Sequence, residues 1–162
     1  MEAKTIVQPF LPVYNKQSKI LILGSFPSVV SRKNQFYYMN PQNRFWKVLE
    51  SLYHLPFTTF TTLEKTNHLL ELNIALYDVI YQCKIQGSSD SSITEAKVAD
   101  IPSILKDSNI SRIFLNGNTA YQLFVKHFPY LQSICIKLPS TSSANAHFNL
   151  EKLIQEWKII LQ

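Results

Sequence analysis

The sequence contains few residues of several kinds, and each shortage excludes a class of protein. Its two cysteines, Cys83 and Cys135, are too few for a disulfide scaffold, a Cys-rich metal site or an iron–sulfur cluster. No apolar run reaches the roughly 18 residues that a membrane-spanning helix needs. The first residues, MEAKTIVQPF, lack the apolar centre of a signal peptide, which predicts a cytoplasmic protein without a membrane partner.

Glycine is also scarce. Of the three glycines in the chain, Gly24 and Gly117 follow apolar runs that are typical of buried strands. Neither stands in a GxGxxG or GK(S/T) sequence, so a phosphate-cradling loop is not indicated. The four histidines show no metal-ligand spacing, and no Ser/His/Asp or Cys/His signature is present. We therefore expect neither a metal nor a cofactor.

The composition that is present is typical of a globular protein. The chain is 46% hydrophobic and 17% charged, which argues against disorder, and 162 residues fit one domain with its own core. We expect a single domain over residues 1–162 and a monomer. The net charge of +5 is a weak indication of a polyanionic partner.

Short apolar runs alternate with helical patterns along the chain. Buried strands are predicted at residues 19–24, 74–80, 112–117 and 133–140. Helices are predicted at 43–54, 61–72, 100–108, 118–128 and 149–161, with a loop over 83–93. Strands that are apolar on both faces imply a parallel sheet covered by helices. The predicted fold class is α/β, a three-layer α/β/α sandwich around a short four-stranded parallel sheet.

Small and polar residues follow each predicted strand. They are Gly24–Ser25–Phe26, Asp78, Asn116–Gly117–Asn118 and Pro139–Ser140–Thr141. Because ligands bind beyond the carboxyl ends of parallel strands, we expect these groups to build one pocket. A buried carboxylate such as Asp78 is costly without a partner, although a cap or turn role remains an alternative.

Two further stretches have both a functional and a structural interpretation. Tyr37 and Tyr38 could stack on a nucleobase or pack in the core, and Asn43 could be only a helix N-cap. Residues 138–147, LPSTSSANAH, form either an ordinary loop or a hydroxyl- and amide-rich wedge against phosphates. The SSDSS run at 88–92 is expected to be a solvated loop.

Four stretches together resemble a known family. They are GSFPS…FYYMNPQNRFWKVL at 24–49, NIALYDVIYQCKIQGSSDSSI at 73–93, IFLNGNTAY at 113–121 and LPSTSSAN at 138–145. In this order they are similar to the DNA-deoxyinosine glycosylases of bacteria and archaea, the hypoxanthine-DNA glycosylase branch of the uracil-DNA glycosylase superfamily. The resemblance covers nearly the whole chain and implies the superfamily's α/β/α fold, in agreement with the strand and helix pattern.

The sequence departs from the superfamily pattern at several positions. Most members carry Asp or Asn two residues after the first glycine, where it handles the attacking water, and this chain has Phe26 there. The resemblance to the deoxyinosine branch places the catalytic asparagine at Asn43. Because Met39-Asn40 stands where relatives often have Gly-His, Asn40 is a second candidate. Ser143 replaces a proline that is frequent in the last motif.

The resemblance implies a role for each remaining site residue. Phe26 would stack on the flipped base, Tyr37 or Tyr38 would close the pocket, and Asp78 lies where relatives use an asparagine to read the base edge. The whole base-binding set is Gly24, Ser25, Phe26, Tyr37, Tyr38, Asp78 and Asn116. The DNA-binding set is Pro139, Ser140, Thr141, Ser142 and Asn145.

The activity implied is that of a monofunctional DNA glycosylase of base excision repair. It would act on single- or double-stranded DNA, flip out a deaminated base and hydrolyse its N-glycosidic bond. Hypoxanthine is the first expectation, with uracil and xanthine as alternatives. No lysine is placed to form a Schiff base, so strand cleavage is not expected. Two other functions stay open: a nucleic-acid-binding module without catalysis, and a hydrolase of free nucleosides.

Overall fold

The computed structural model describes residues 3–162, which form two sheets and six α-helices. The strands are β1 (Lys4–Val7), β2 (Ile20–Gly24), β3 (Ile74–Asp78), β4 (Ile80–Ile85), β5 (Thr94–Val98), β6 (Arg112–Asn116) and β7 (Cys135–Leu138). The helices are α1 (Val29–Asn34), α2 (Phe45–Tyr53), α3 (Thr62–Glu71), α4 (Ile101–Lys106), α5 (Asn118–His127) and α6 (Leu150–Trp157). No helix in this part of the chain is long and apolar enough to cross a membrane.

The central sheet has four parallel strands in the order β3-β2-β6-β7. Every residue of β2 and β3 is buried, as expected for inner strands covered on both faces. Leu23 of β2 lies opposite Tyr77 on one side and Leu115 on the other, so the strand ends are level. The predicted α/β fold around a four-stranded parallel sheet is confirmed.

A second sheet, antiparallel and ordered β1-β4-β5, corrects two sequence predictions. Residues 74–80 are not one strand, because β3 ends at Asp78 and Ile80 begins β4 of the second sheet. Val79 joins the two strands, and its N–H donates to the carbonyl of Gly24 at 2.8 Å. The predicted loop over 83–93 is wrong at its start, since β4 continues to Ile85. Only one face of this sheet is covered: Ile80, Cys83 and Ile85 form a small core with Phe26.

Side chains cap two of the helices. Thr61 begins α3 with a capping box shared with Glu64, and Asn149 caps α6 by accepting from the N–H of Lys152 at 2.9 Å. The cap of α5 is Gly117, which has no side chain to offer. With φ of +100°, Gly117 adopts a conformation that other residues rarely take, and a Cβ there would lie 3.0 Å from Ser140.

Candidate active site

A cleft of about 400 Å³ lies at the carboxyl ends of the parallel strands. It is lined by twelve of the residues predicted from sequence: Gly24, Ser25, Phe26, Tyr37, Tyr38, Asn40, Asn43, Asp78, Asn116, Ser140, Thr141 and Ser142. Pro139 and Asn145 line an adjoining cleft that shares Ser140 and Ser142 with the first. The structure thus brings the predicted residues to one edge of the sheet, while their functional roles stay predictions.

Asn43 lies in the turn before α2 and is held by two hydrogen bonds. Its Oδ1 accepts from the backbone N–H of Phe45 at 2.9 Å and from Oγ1 of Thr141 at 2.8 Å. Because a backbone N–H can only donate, the atom that faces Phe45 is the oxygen. Its amide nitrogen has no acceptor among residues 3–162, so Asn43 can offer the cleft only hydrogen-bond donors.

Asn40, the second candidate, is committed to its own turn. Its Oδ1 accepts from the backbone N–H of Gln42 at 2.9 Å, and its carbonyl accepts from the N–H of Asn43 at 2.9 Å. The helix cap position itself belongs to Arg44, which makes no side-chain cap bond. Asn43 is therefore not the N-cap residue, although its side chain does bind the first N–H of the helix.

Thr141 connects Asn43 to the end of β6. The side chain of Asn116 donates to Oγ1 of Thr141 at 3.0 Å and accepts from the backbone N–H of Thr141 at 3.0 Å. Thr141 is wholly buried, so it has no surface with which to contact a phosphate. Its predicted contact with DNA stays a prediction, and in this structure Thr141 and Asn116 hold the amide group of Asn43 in one orientation.

Arg44 shapes the loop that follows β7, a role that sequence reasoning missed. Its guanidinium donates to the carbonyls of Thr141 at 3.3 Å, Ser142 at 2.8 Å and Asn145 at 3.2 Å, and also to that of Phe148. A planar group with five N–H donors suits such convergent carbonyls. Its position directly after Asn43, inside the family-like stretch, was the available signal.

Asp78 is buried at the floor of the cleft, with 4% of its surface exposed. Nε2 of Gln8 donates to its Oδ2 at 2.8 Å. Burial raises the pKa of Asp78 to about 7; the Gln8 hydrogen bond opposes this rise and the charge of Asp90 adds to it. No sequence signal marked Gln8, because its contact with Asp78 spans 70 residues.

Gly24 is required by the close approach of Asp78 and Tyr38. A Cβ on Gly24 would lie 2.6 Å from Oδ1 of Asp78 and 3.0 Å from the hydroxyl oxygen of Tyr38. These distances are shorter than van der Waals contact, so a larger residue would displace both groups. Gly24 thus makes room for the carboxylate and the phenol at one point of the cleft floor.

The three aromatic residues predicted to contact the base, Phe26, Tyr37 and Tyr38, differ in what their side chains contact. Phe26 is 8% exposed, and the guanidinium of Arg32 lies 5.7 Å from its ring centre. Tyr37 is 2% exposed and donates its hydroxyl to the carbonyl of Leu11 at 2.7 Å, as a core residue would. Tyr38 stacks on Phe45 at 4.0 Å, and its buried hydroxyl has no partner within the described residues. Burial raises its pKa, with a further rise from the charge of Asp78.

The serine-rich loop between β4 and β5 forms a wall of the cleft. Ser88, Ser89, Asp90 and Ser91 all line it and are exposed to solvent, so the predicted solvated loop also bounds the cleft. The hydroxyl of Ser25 donates to Oδ1 of Asp90 at 2.9 Å. The pKa of Asp90 is raised by burial against the cleft, and the bond from Ser25 opposes the rise.

Comparison with known proteins places the chain in a family. The model of the uracil DNA glycosylase superfamily matches residues 11–160. The chain belongs to this superfamily. The resemblance seen in the four sequence motifs is thereby confirmed at the level of the superfamily.

Two proteins of the genus Methanosarcina are similar to this chain. The chain is 32% identical over 142 residues to the hypoxanthine DNA glycosylase of Methanosarcina barkeri (strain Fusaro / DSM 804), covering 85% of this chain and 87% of the relative. It is 31% identical over 161 residues to that of Methanosarcina acetivorans, covering 97% and 99%. The solution NMR structure of a candidate uracil DNA glycosylase from M. acetivorans matches with a TM-score of 0.78 and 27% identity, over 97% of this chain and 100% of that one.

Proposed function

We propose that this protein is a monofunctional DNA glycosylase that hydrolyses the N-glycosidic bond of hypoxanthine in DNA. The observation that carries the proposal is the placement of Asp78, Gly24 and Asn43 in one strand-end cleft of a uracil DNA glycosylase superfamily fold. Two relatives that match most of the chain are named hypoxanthine DNA glycosylase, which supports the choice of base.

Asp78 is suited to read the edge of a deaminated base. Gln8 holds its Oδ2, so Oδ1, beside Gly24, is the oxygen left for a ligand. When ionised, this oxygen accepts from N1–H of hypoxanthine or N3–H of uracil. Adenine and cytosine present a nitrogen lone pair at the same edge, which the carboxylate repels. The ionised carboxylate of Asp78 therefore favours hypoxanthine over adenine and uracil over cytosine. It does not by itself distinguish hypoxanthine from uracil.

The bond that breaks develops positive charge on the sugar and negative charge on the departing base, as in other hydrolyses of glycosidic bonds. Flipping the base out of the helix costs a few kcal/mol and is cheapest for a mispaired base. The amide N–H groups of Asn43 donate to the oxygen of the attacking water. A second lone pair of that water oxygen then faces the sugar. Preorganised donors of this kind act without reorganisation during the reaction.

The loop over residues 139–145 is the proposed DNA contact. Arg44 binds its carbonyls. The hydroxyl oxygens of Ser140 and Ser142 accept from backbone N–H groups two residues further on, so the loop is held in one conformation. Ser140 and Ser142 are partly exposed and belong to both clefts. Hydroxyl, amide and backbone N–H groups commonly bind phosphate oxygens. The net charge of +5 adds a favourable long-range attraction.

The test is a set of oligonucleotides, each with one hypoxanthine, uracil, xanthine or adenine, incubated with the protein in EDTA and then treated with alkali. We expect cleavage of the hypoxanthine strand only after alkali, and none of the adenine strand. Binding without base release, even after long incubation, would support the non-catalytic module instead. Hydrolysis of free deoxyinosine that duplex DNA does not inhibit would support the nucleoside hydrolase.

A further inference from the structure

Asn43 cannot take up the proton that the attacking water must lose. Its Oδ1 already accepts from Phe45 and Thr141, and its amide nitrogen can only donate. The strand-end position that carries Asp or Asn in most of the superfamily is Phe26 in this chain. An acceptor for the proton is therefore needed from another element of the fold.

The cleft lining includes two carboxylates, Asp78 and Asp90. Asp78 lies on the floor, with Oδ2 held by Gln8 and Oδ1 directly over Gly24. Asp90 lies on the wall, and only its Oδ1 is engaged, by the hydroxyl of Ser25 at 2.9 Å. Its Oδ2 has no hydrogen-bond or ion-pair partner among residues 3–162. Ser25 directly follows the last residue of β2 and precedes Phe26, so this bond places a carboxylate at the end of that strand.

We propose that Asp90 is a catalytic residue that accepts the proton of the attacking water. In this step the water oxygen bonds to C1′ of the sugar, the C1′–N9 bond breaks, and its electron pair leaves with the base. The water proton passes to Oδ2 of Asp90, and the departing base takes a proton from solvent. The negative charge of Asp90 also stabilises the positive sugar. This assignment rests on the glycosylase function proposed above.

Several titratable or charged groups surround Asp90. Its charge raises the pKa of Asp78 on β3, of Tyr38 before α2 and of Cys83 on β4. Arg32 of α1 reaches the same loop by donating to the carbonyl of Gly87 at 3.0 Å. The ammonium-bearing Lys137 lines the adjoining cleft with Asp90. Of the two carboxylates that line the cleft, Asp90 is exposed whereas Asp78 is buried, so Asp90 is the more accessible acceptor for a water proton.

The decisive variant is Asp90→Asn, measured by single-turnover release of hypoxanthine. The amide oxygen still accepts from Ser25, so the loop is kept while the proton acceptor is lost. We expect the rate to fall at least about a hundredfold, the usual contribution of a positioned acid or base. DNA binding should stay equal or tighten, because a negative charge has been removed. Protonation of Asp78 also lowers the rate at low pH, so the comparison is made in an Asp78→Asn background, where the remaining decline at low pH should be absent once Asp90 is also replaced.

Glu95→Gln is the matched control, since it removes a carboxylate from the same hairpin. Glu95 pairs with Lys84 at 3.4 Å on the solvent side and does not line either cleft, so the rate should stay within about threefold. Ser25→Ala removes the hydrogen bond but keeps the carboxylate, and should cost less than Asp90→Asn. A larger loss in Ser25→Ala than in Asp90→Asn would show that the hydrogen bond matters more than the carboxylate, and would overturn the proposal.

Failure of this inference can be told apart from failure of the proposed function. If the wild-type protein releases no base from any oligonucleotide, the glycosylase function itself is wrong. If wild type is active and folded Asp90→Asn loses less than about a hundredfold, only the role of Asp90 is overturned. Should Asp90→Asn melt at a markedly lower temperature, Asp90→Ser, which also offers Ser25 an acceptor, is judged by the same limit.

Discussion

The hydroxyl of Thr141 donates a 2.8 Å hydrogen bond to the side-chain oxygen of Asn43, across 98 residues of sequence. The bond joins the turn before α2 to the loop after β7, and it fixes which end of the Asn43 amide faces the cleft. From the sequence, Asn43 could have been only a helix N-cap. In the structure its side chain can offer the cleft only hydrogen-bond donors.

Replacement of Asn43 tests this donor role. Asn43→Ala should slow single-turnover base release at least about a hundredfold, or ~2.7 kcal/mol, as loss of a preorganised donor does. Asn43→Asp keeps an acceptor for Phe45 and Thr141 but loses the N–H groups, so it should be about as slow. A purely structural role would instead cost about 1 kcal/mol of stability and spare the rate. Melting temperature and cleavage rate are measured on one sample.

Asn40→Ala is the control for that experiment, and it should retain most of the rate. An inactive Asn40→Ala beside an active Asn43→Ala would place the catalytic role on the wrong asparagine. Full activity of both would remove the catalytic assignment from this turn altogether.

Thr141→Val should lower both the free energy of unfolding and the rate of base release. Valine has the shape of threonine but leaves Nδ2 of Asn116 and Oδ1 of Asn43 each short of one hydrogen bond in a buried position. We expect a loss of about 1–3 kcal/mol in the free energy of unfolding, and about a tenfold slower reaction because the Asn43 amide is no longer held. Thr141→Ser, which keeps the hydroxyl, should restore the rate; if Ser and Val behave alike, the hydroxyl is not what matters.

Asp78 should make stability depend on pH in an unusual direction. Because burial raises the pKa of Asp78 to about 7, the folded chain keeps this proton at pH values where the unfolded chain, near pH 4, has released it. The contribution of Asp78 to stability therefore falls as pH rises from about 4 to about 7, and is level above that. In Asp78→Asn this fall should be absent.

The measurement is the melting temperature of wild type and Asp78→Asn over that pH range. The difference should grow in favour of the variant as pH rises, which separates Asp78 from the other titrating groups, Asp90 included. A difference that is constant with pH would mean that Asp78 is ionised in the folded state at all these pH values.

Arg44→Lys should weaken DNA binding more than it slows the chemistry. Lysine keeps the positive charge but has three donors in place of a planar five-donor group, so the loop over residues 139–145 loses part of its support. We expect the Kd for DNA to rise about tenfold, or ~1.4 kcal/mol, with an unchanged slope of log K against log salt. A slope that drops by about one unit in an Arg44→Gln comparison would show instead that Arg44 binds a phosphate directly.

The central sheet could be predicted from the sequence because its signal is local. The apolar runs ending at Gly24 and Asn116 are short, buried on both faces and followed by helices, which leaves few arrangements. The second sheet could not be predicted in the same way. Its strands are covered on one face, and β1 and β5 are mostly exposed, so neither composition nor alternation distinguished them from loop.

Only part of the candidate site could be predicted, because only part of it follows from local sequence signals. Residues at the strand ends were found because the parallel sheet brings them together, whereas Gln8 and Arg44 act through contacts with distant parts of the chain. Tyr37 shows why both interpretations of an aromatic residue had to stay open: its ring is buried and its hydroxyl binds the carbonyl of Leu11, yet it also lines the cleft. Only three-dimensional placement separates these cases.

The arrangement around Arg44 also determines when the protein becomes competent during its biosynthesis. The carbonyls that bind the guanidinium follow it by 97 to 104 residues. A nascent chain that has left the ribosome only as far as β7 carries Asn43 and Asp78, but Asn43 lacks Thr141 and Arg44 lacks every carbonyl that binds it. A chain interrupted at that point therefore lacks the contacts that orient the amide of Asn43 and hold Arg44 in place.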